Sequence, residues 1–173
     1  MAEMITTIAE LRERLGQARR AGQSIGFVPT MGALHPGHQR LLEVAHEETG
    51  VVVASIFVNP TQFDRKDDLD RYPRTMEQDM GICRAAGVDY VFAPSPDEMY
   101  PQLQLSWVEV PMLTEHLCGP RRPGHFRGVA TIVMKLFQIV QPDRAYFGEK
   151  DAQQLAVIRR IVQDLNEPVA VHL

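Results

Sequence analysis

Gly26-Phe27-Val28-Pro29-Thr30-Met31-Gly32-Ala33-Leu34-His35-Pro36-Gly37-His38 is an apolar run that breaks into a turn and then opens a helix. Strand, turn and helix start together make a place where phosphate groups bind, because the free N–H groups and the positive dipole end of the helix face the same point. His35 and His38 stand three residues apart there, separated by Pro36 and Gly37. Taken alone, a His-x-x-His pair fits a solvated helix face or a metal pair as well as a nucleotide site. Its neighbours on the chain narrow the choice. Residues 24–28 read as a buried strand, and 37–48 as the helix after it, with Leu41, Leu42 and Ala45 turned inward. Val51 to Val58 is a continuous β-branched run, the pattern of a strand covered on both faces in a parallel sheet. A parallel α/β fold follows.

Upstream, residues 6–21 place Ile8, Leu11, Leu15 and Ala18 on one helical stripe, with Thr6 or Thr7 as cap and Gly22 as stop. Downstream, Asn59 to Asp70 is a polar loop beyond the end of the central strand, where open α/β sheets bind ligands. Thr75 with Gln78 looks like a capping box for a helix through Ala86, and Gly87 ends it before a strand at 88–92. Pro94 to Gln104 reads as a proline-broken loop and Leu105 to Val110 as a half-exposed alternating strand that carries Trp107. The stretch Gly119 to Gly128 is read as irregular, 129–140 as a buried helix, 144–147 as a strand, 151–165 as a helix and 169–171 as the start of a last strand. About five parallel strands, with no internal repeat and no linker, give one doubly wound Rossmann-like domain over residues 1–173 with helices on both faces of the sheet.

With 173 residues, 45% of them hydrophobic, the chain is long enough to bury a sizeable core. A formal net charge of −4 argues against general affinity for nucleic acid or anionic membranes, so any phosphate is bound locally. The two cysteines, Cys83 and Cys118, have no C-x-x-C spacing and suggest neither zinc nor a disulfide framework, which fits a reducing cytoplasm. No signal peptide or membrane span is expected.

The segment Pro29 to His38 resembles the HxGH signature of the nucleotidylyl-transfer superfamily, and in its longer form the pantoate–β-alanine ligase family. The resemblance continues in Ser55 to Phe63 (SIFVNPTQF), Arg71 to Thr75 (RYPRT), Arg122 to Val129 (RPGHFRGV) and Tyr146 to Leu155 (YFGEKDAQQL), so it covers nearly the whole chain. It implies an enzyme that activates pantoate with ATP to pantoyl adenylate, lets the amine of β-alanine displace AMP, uses Mg²⁺, and works as a homodimer. Two alternatives stay open: another HxGH nucleotidylyltransferase, and a non-catalytic nucleotide-binding or dimerisation fragment.

Met31, Gly32, Ala33, Leu34, His35, Pro36, Gly37 and His38 form the expected ATP turn, in which the family gives His38 the role of proton donor. Gly148, Glu149, Lys150 and Asp151 lie between a strand and a helix; there Lys150 brings a point charge toward phosphate, or else the segment is a solvated turn. Gln62 and Gln154 both donate and accept, which suits the hydroxyls of a hydroxy acid, and the resemblance places both on pantoate. Asp79, with Glu77, either holds Mg²⁺ through water or lies on a solvated helix face. Arg121, Arg122, His125 and Arg127 contact triphosphate or brace a dimer interface around residues 107–127. His46, His116 and His172 have no partner motif and read as surface or packing residues. The Ser-rich, Arg-containing loop and small C-terminal lid of the family have no counterpart before Leu173. The expectation is an isolated N-terminal domain that holds half the ATP site, binds ATP weakly and turns over very slowly or not at all.

Overall fold

A computed structural model describes residues 2–114, 124–148 and 152–173. Its strands are β1 (Glu3–Ile5), β2 (Ile25–Thr30), β3 (Val51–Ile56), β4 (Tyr90–Phe92), β5 (Arg144–Tyr146) and β6 (Ala170–His172). They form one sheet in the order β1-β4-β3-β2-β5-β6, and every neighbouring pair is parallel. From β2 the chain winds outward through β3 and β4, then returns to start β5 on the other side of β2. That reversal leaves a crevice at the carboxyl ends of β2 and β5, the usual ligand position in open α/β sheets.

The helices are α1 (Ile8–Arg20), α2 (Pro36–Glu48), α3 (Lys66–Arg71), α4 (Met76–Ala85), α5 (Pro96–Met99), α6 (Pro111–Thr114), α7 (His125–Val140) and α8 (Ala152–Asp164). They cover both faces because side chains alternate along each central strand. Phe27 and Val53 pack with Leu11 and Leu15 of α1, Val133 and Phe137 of α7 and Ile158 of α8. Val28, Val52 and Ala54 pack on the opposite side with Leu42 of α2 and Met80 and Cys83 of α4. All six residues of β3 are buried, as its β-branched run predicts. Each fully buried Val or Phe contributes roughly 1.5–3 kcal/mol relative to exposure. Among the described residues no helix is long and apolar enough to cross a membrane.

Several expectations need correction. The sheet has a sixth strand, β1, too short and too exposed at Glu3 and Met4 to show a pattern in sequence. Leu105 to Val110 forms no strand; the Val108 N–H donates instead to Thr131 Oγ1 of α7 at 3.0 Å. The loop 59–70 contains a 3-10 turn (Pro60–Gln62) and α3, and α5 interrupts the proline-broken loop after β4. Helix α7 begins at His125, so His125 to Gly128 are helical rather than irregular. Thr75 makes no cap hydrogen bond, because its hydroxyl donates to Asp79 Oδ2 at 3.1 Å.

Candidate active site

The turn after β2 is built by short-range polar bonds. Thr30 donates its hydroxyl to the Ser55 carbonyl at 2.7 Å and accepts the Gly32 N–H at 3.2 Å, which ties the end of β2 to β3. Gly32 and Ala33 then both take positive φ, 86° and 50°. For Ala33 that conformation is unfavourable, by on the order of 1 kcal/mol. Asp79 offsets it. Its carboxylate, on α4 and 1% exposed, accepts the Ala33 N–H at 3.0 Å and the Leu34 N–H at 2.8 Å. Successive N–H groups in such a turn form an anion-binding nest, and here the occupant is a side chain of the protein itself.

His35 is the N-cap of α2, and the two histidines cap each other's turn. His35 Nδ1 accepts the Gly37 N–H at 3.1 Å, and His38 Nδ1 accepts the His35 N–H at 3.4 Å. The rings lie 4.1 Å apart between centroids. A ring nitrogen that accepts an N–H is unprotonated, so in each neutral imidazole the proton sits on Nε2. Burial lowers the His38 pKa below its ordinary value of 6.5, the adjacent His35 lowers it further, and the Asp79 carboxylate opposes the shift. With these nest and cap N–H groups already engaged, the turn still offers an anion the two Nε2–H groups. The anion reading of this turn therefore moves from backbone to imidazole.

Gln62 ends the 3-10 turn and is 7% exposed, buried where sequence alone favours the surface. Its Nε2 donates to Met31 Sδ at 3.0 Å, which brings it against the His-x-x-His turn. Its Oε1 accepts from Asn59 Nδ2 at 3.2 Å. Its carbonyl accepts from His125 Nδ1 at 2.8 Å, a tie from α7. Arg127 instead lies over the Trp107 ring at 4.6 Å and pairs with Glu109 at 3.4 Å. Sequence reasoning did not single out Asn59: the quoted motif contains it, but its burial is a matter of tertiary structure.

A cavity of about 310 Å³ borders the turn, lined among others by Met31, Gly32, Phe57, Val58, Arg74 and Asp79. Gln154 is half-buried on α8 and Gly148 is exposed after β5. Glu149, Lys150 and Asp151 lie outside the described residues, as do Arg121 and Arg122. Among the described residues no three His, Cys, Asp or Glu side chains come together as a metal site, and the Asp79 carboxylate is engaged in the turn. Buried Cys83, with its thiol pushed up to about 11 chiefly by burial, is no nucleophile at neutral pH.

The family model for pantoate-beta-alanine ligase matches residues 3–173. Pantothenate synthetase of Allorhizobium ampelinum is 59% identical over 169 residues, covering 98% of this chain and 58% of that protein. That of Moorella thermoacetica is 56% identical over 169 residues, covering 98% and 60%. The crystal structure of pantothenate synthetase from Thermus thermophilus superposes with a TM-score of 0.91 at 52% identity, over 99% of this chain and 61% of that one. The Francisella tularensis pantoate-beta-alanine ligase, complexed with beta-gamma ATP and beta-alanine, gives 0.94 at 40% identity, over 99% and 66%. The chain spans about 60% of the length of the curated relatives it matches.

Proposed function

Because the chain belongs to the pantoate–β-alanine ligase family, we propose that it carries the nucleotide and hydroxy-acid part of an ATP-dependent ligase that joins pantoate to β-alanine. The observation that carries this is the contact of Gln62 with Met31, which sets a buried amide donor beside a turn that presents two imidazole Nε2–H groups. One crevice can then hold a carboxylate against an α-phosphate. A carboxylate oxygen of pantoate attacks the α-phosphorus of ATP; the bond to the β-phosphate oxygen breaks and pyrophosphate leaves with the electron pair. The β-alanine amine next attacks the acyl carbon, the carbon–oxygen bond to AMP breaks, and the amine loses a proton to solvent.

His35 and His38 donate hydrogen bonds to oxygens of the α-phosphate as charge builds there, and in this sense His38 is the donor. The low pKa of His38 makes it a neutral donor. The main chain and side chains of Met31, Gly32, Ala33, Leu34, Pro36 and Gly37 hold these rings in place; Gly148, Glu149, Lys150 and Asp151 supply the second phosphate-facing segment. Gln62 and Gln154 hold pantoate. Mg²⁺ belongs to this scheme as the complex with ATP, a part of the substrate. The exposed apolar side chains Leu103, Leu105, Trp107, Met112 and Leu113 support a homodimer through that segment. The setting is the cytoplasm.

The test is isotopic. Pantoate labelled with ¹⁸O in its carboxylate, incubated with ATP and β-alanine and the chain extended to its relatives' length, should pass one label to AMP. Unlabelled AMP, or ADP as product, would overturn the adenylate route.

A further inference from the structure

We propose that Tyr100, just past the end of α5, is a positioning residue that acts through Asn59 to hold the Gln62 amide nitrogen toward the substrate. The inference rests on the assignment of Gln62 to pantoate made above. The Tyr100 hydroxyl donates to Asn59 Oδ1 at 2.7 Å. That oxygen also receives the Thr61 N–H at 3.4 Å and the Thr61 hydroxyl at 3.1 Å. The amide nitrogen of Asn59 donates to the Gly128 carbonyl at 3.3 Å and to Gln62 Oε1 at 3.2 Å. A backbone N–H can only donate and a carbonyl can only accept, so the polarity of Asn59 is set, and with it that of Gln62. Asn59 engages Gln62 Oε1, and Nε2 faces the turn with the thioether of Met31 as its weak acceptor.

The Tyr100 bond is the shortest of this set, and its donor is well anchored. Its ring carries the Lys135 ammonium 4.4 Å from its centroid and lies 6.3 Å from the Phe57 ring. Lys135 is itself held by the Met99 carbonyl. Asn59 is 1% exposed, so water does not replace the phenol readily. The corner therefore turns an amide N–H toward the site, where an acceptor oxygen of the hydroxy acid displaces the sulfur.

The test is a double-mutant cycle read by calorimetry, with pantoate and ATP titrated separately into the wild type, Tyr100→Phe, Gln62→Ala and the double variant. Tyr100→Phe should weaken pantoate about three- to tenfold, the scale of one hydrogen bond, and leave ATP affinity unchanged. In the Gln62→Ala background the same change should cost pantoate nothing further. A purely structural role would lower both ligands' affinities, or lower pantoate affinity equally in both backgrounds, and either result overturns the proposal. Unchanged pantoate affinity in Tyr100→Phe overturns it too while leaving the substrate assignment standing. If Gln62→Ala binds pantoate like the wild type, or the wild type does not bind it, the assignment itself falls and takes this inference with it.

Discussion

Asp79 shows how one side chain sets the chemistry of a turn that it does not belong to. Both its oxygens accept N–H groups from Ala33 and Leu34, while Thr75 donates to one of them. In Asp79→Asn an NH₂ group must face a backbone N–H, so a buried donor loses its acceptor and stability should drop by about 1–3 kcal/mol. Urea unfolding should show a lower midpoint with an unchanged slope, and ATP should bind at least several-fold more weakly; wild-type values for both would contradict the clamp. Sequence could not show this role, because the bond links residues more than forty positions apart and a helix N-terminal acidic residue reads equally as a solvated one. His38 gives a second prediction. Its pKa lies below 6.5, so the neutral ring's contribution to stability is fully present above about pH 6.5 and is lost as pH falls through the lower native value. The sign follows because the unfolded chain binds the proton more readily than the native one. Histidine NMR titration should place His38 below 6.5, and a value above it would contradict the burial argument.

At the scale of elements, the site depends on how closely α7 approaches the 3-10 turn. A Cβ on Gly128 would stand 2.4 Å from the Thr61 carbonyl oxygen and 2.6 Å from Gln62 Cα, both backbone. Gly128→Ala must therefore push helix and turn apart, with a loss of about 1–3 kcal/mol in stability and a clear fall in pantoate affinity that ATP does not share. Equal loss of both ligands, or of neither, would show that the turn does not position Gln62. Periodicity found β2, β3 and α8 because their apolar patterns are long and their burial is regular. It missed β1, whose only buried residue is Ile5, and invented a strand at Leu105 to Val110, where the backbone bonds to a side chain of α7 instead of to a strand. Local pattern reports which face is apolar, and pairing partners are decided by the rest of the chain.

Across the whole molecule, the sheet order puts the His-x-x-His turn after β2 and the Asn59 to Gln62 corner after β3 at the carboxyl ends of adjacent strands. Both stretches were legible as motifs, and their direct contact was not, since it runs through the Met31 thioether. The exposed apolar run from Leu103 to Leu113 predicts a dimer in sedimentation at concentrations on the order of tens of micromolar; a monomer there would contradict the assignment of that segment to an interface. The central claim is that the imidazole turn holds ATP and the glutamine corner holds pantoate. Its most direct test is calorimetric titration of each ligand, separately, into His38→Ala and Gln62→Ala chains that circular dichroism shows to be folded. His38→Ala should lose ATP affinity and keep pantoate, while Gln62→Ala should lose pantoate affinity, by about 1–3 kcal/mol, and keep ATP. If both variants lose both ligands alike, or the pattern is reversed, the division of the crevice is wrong.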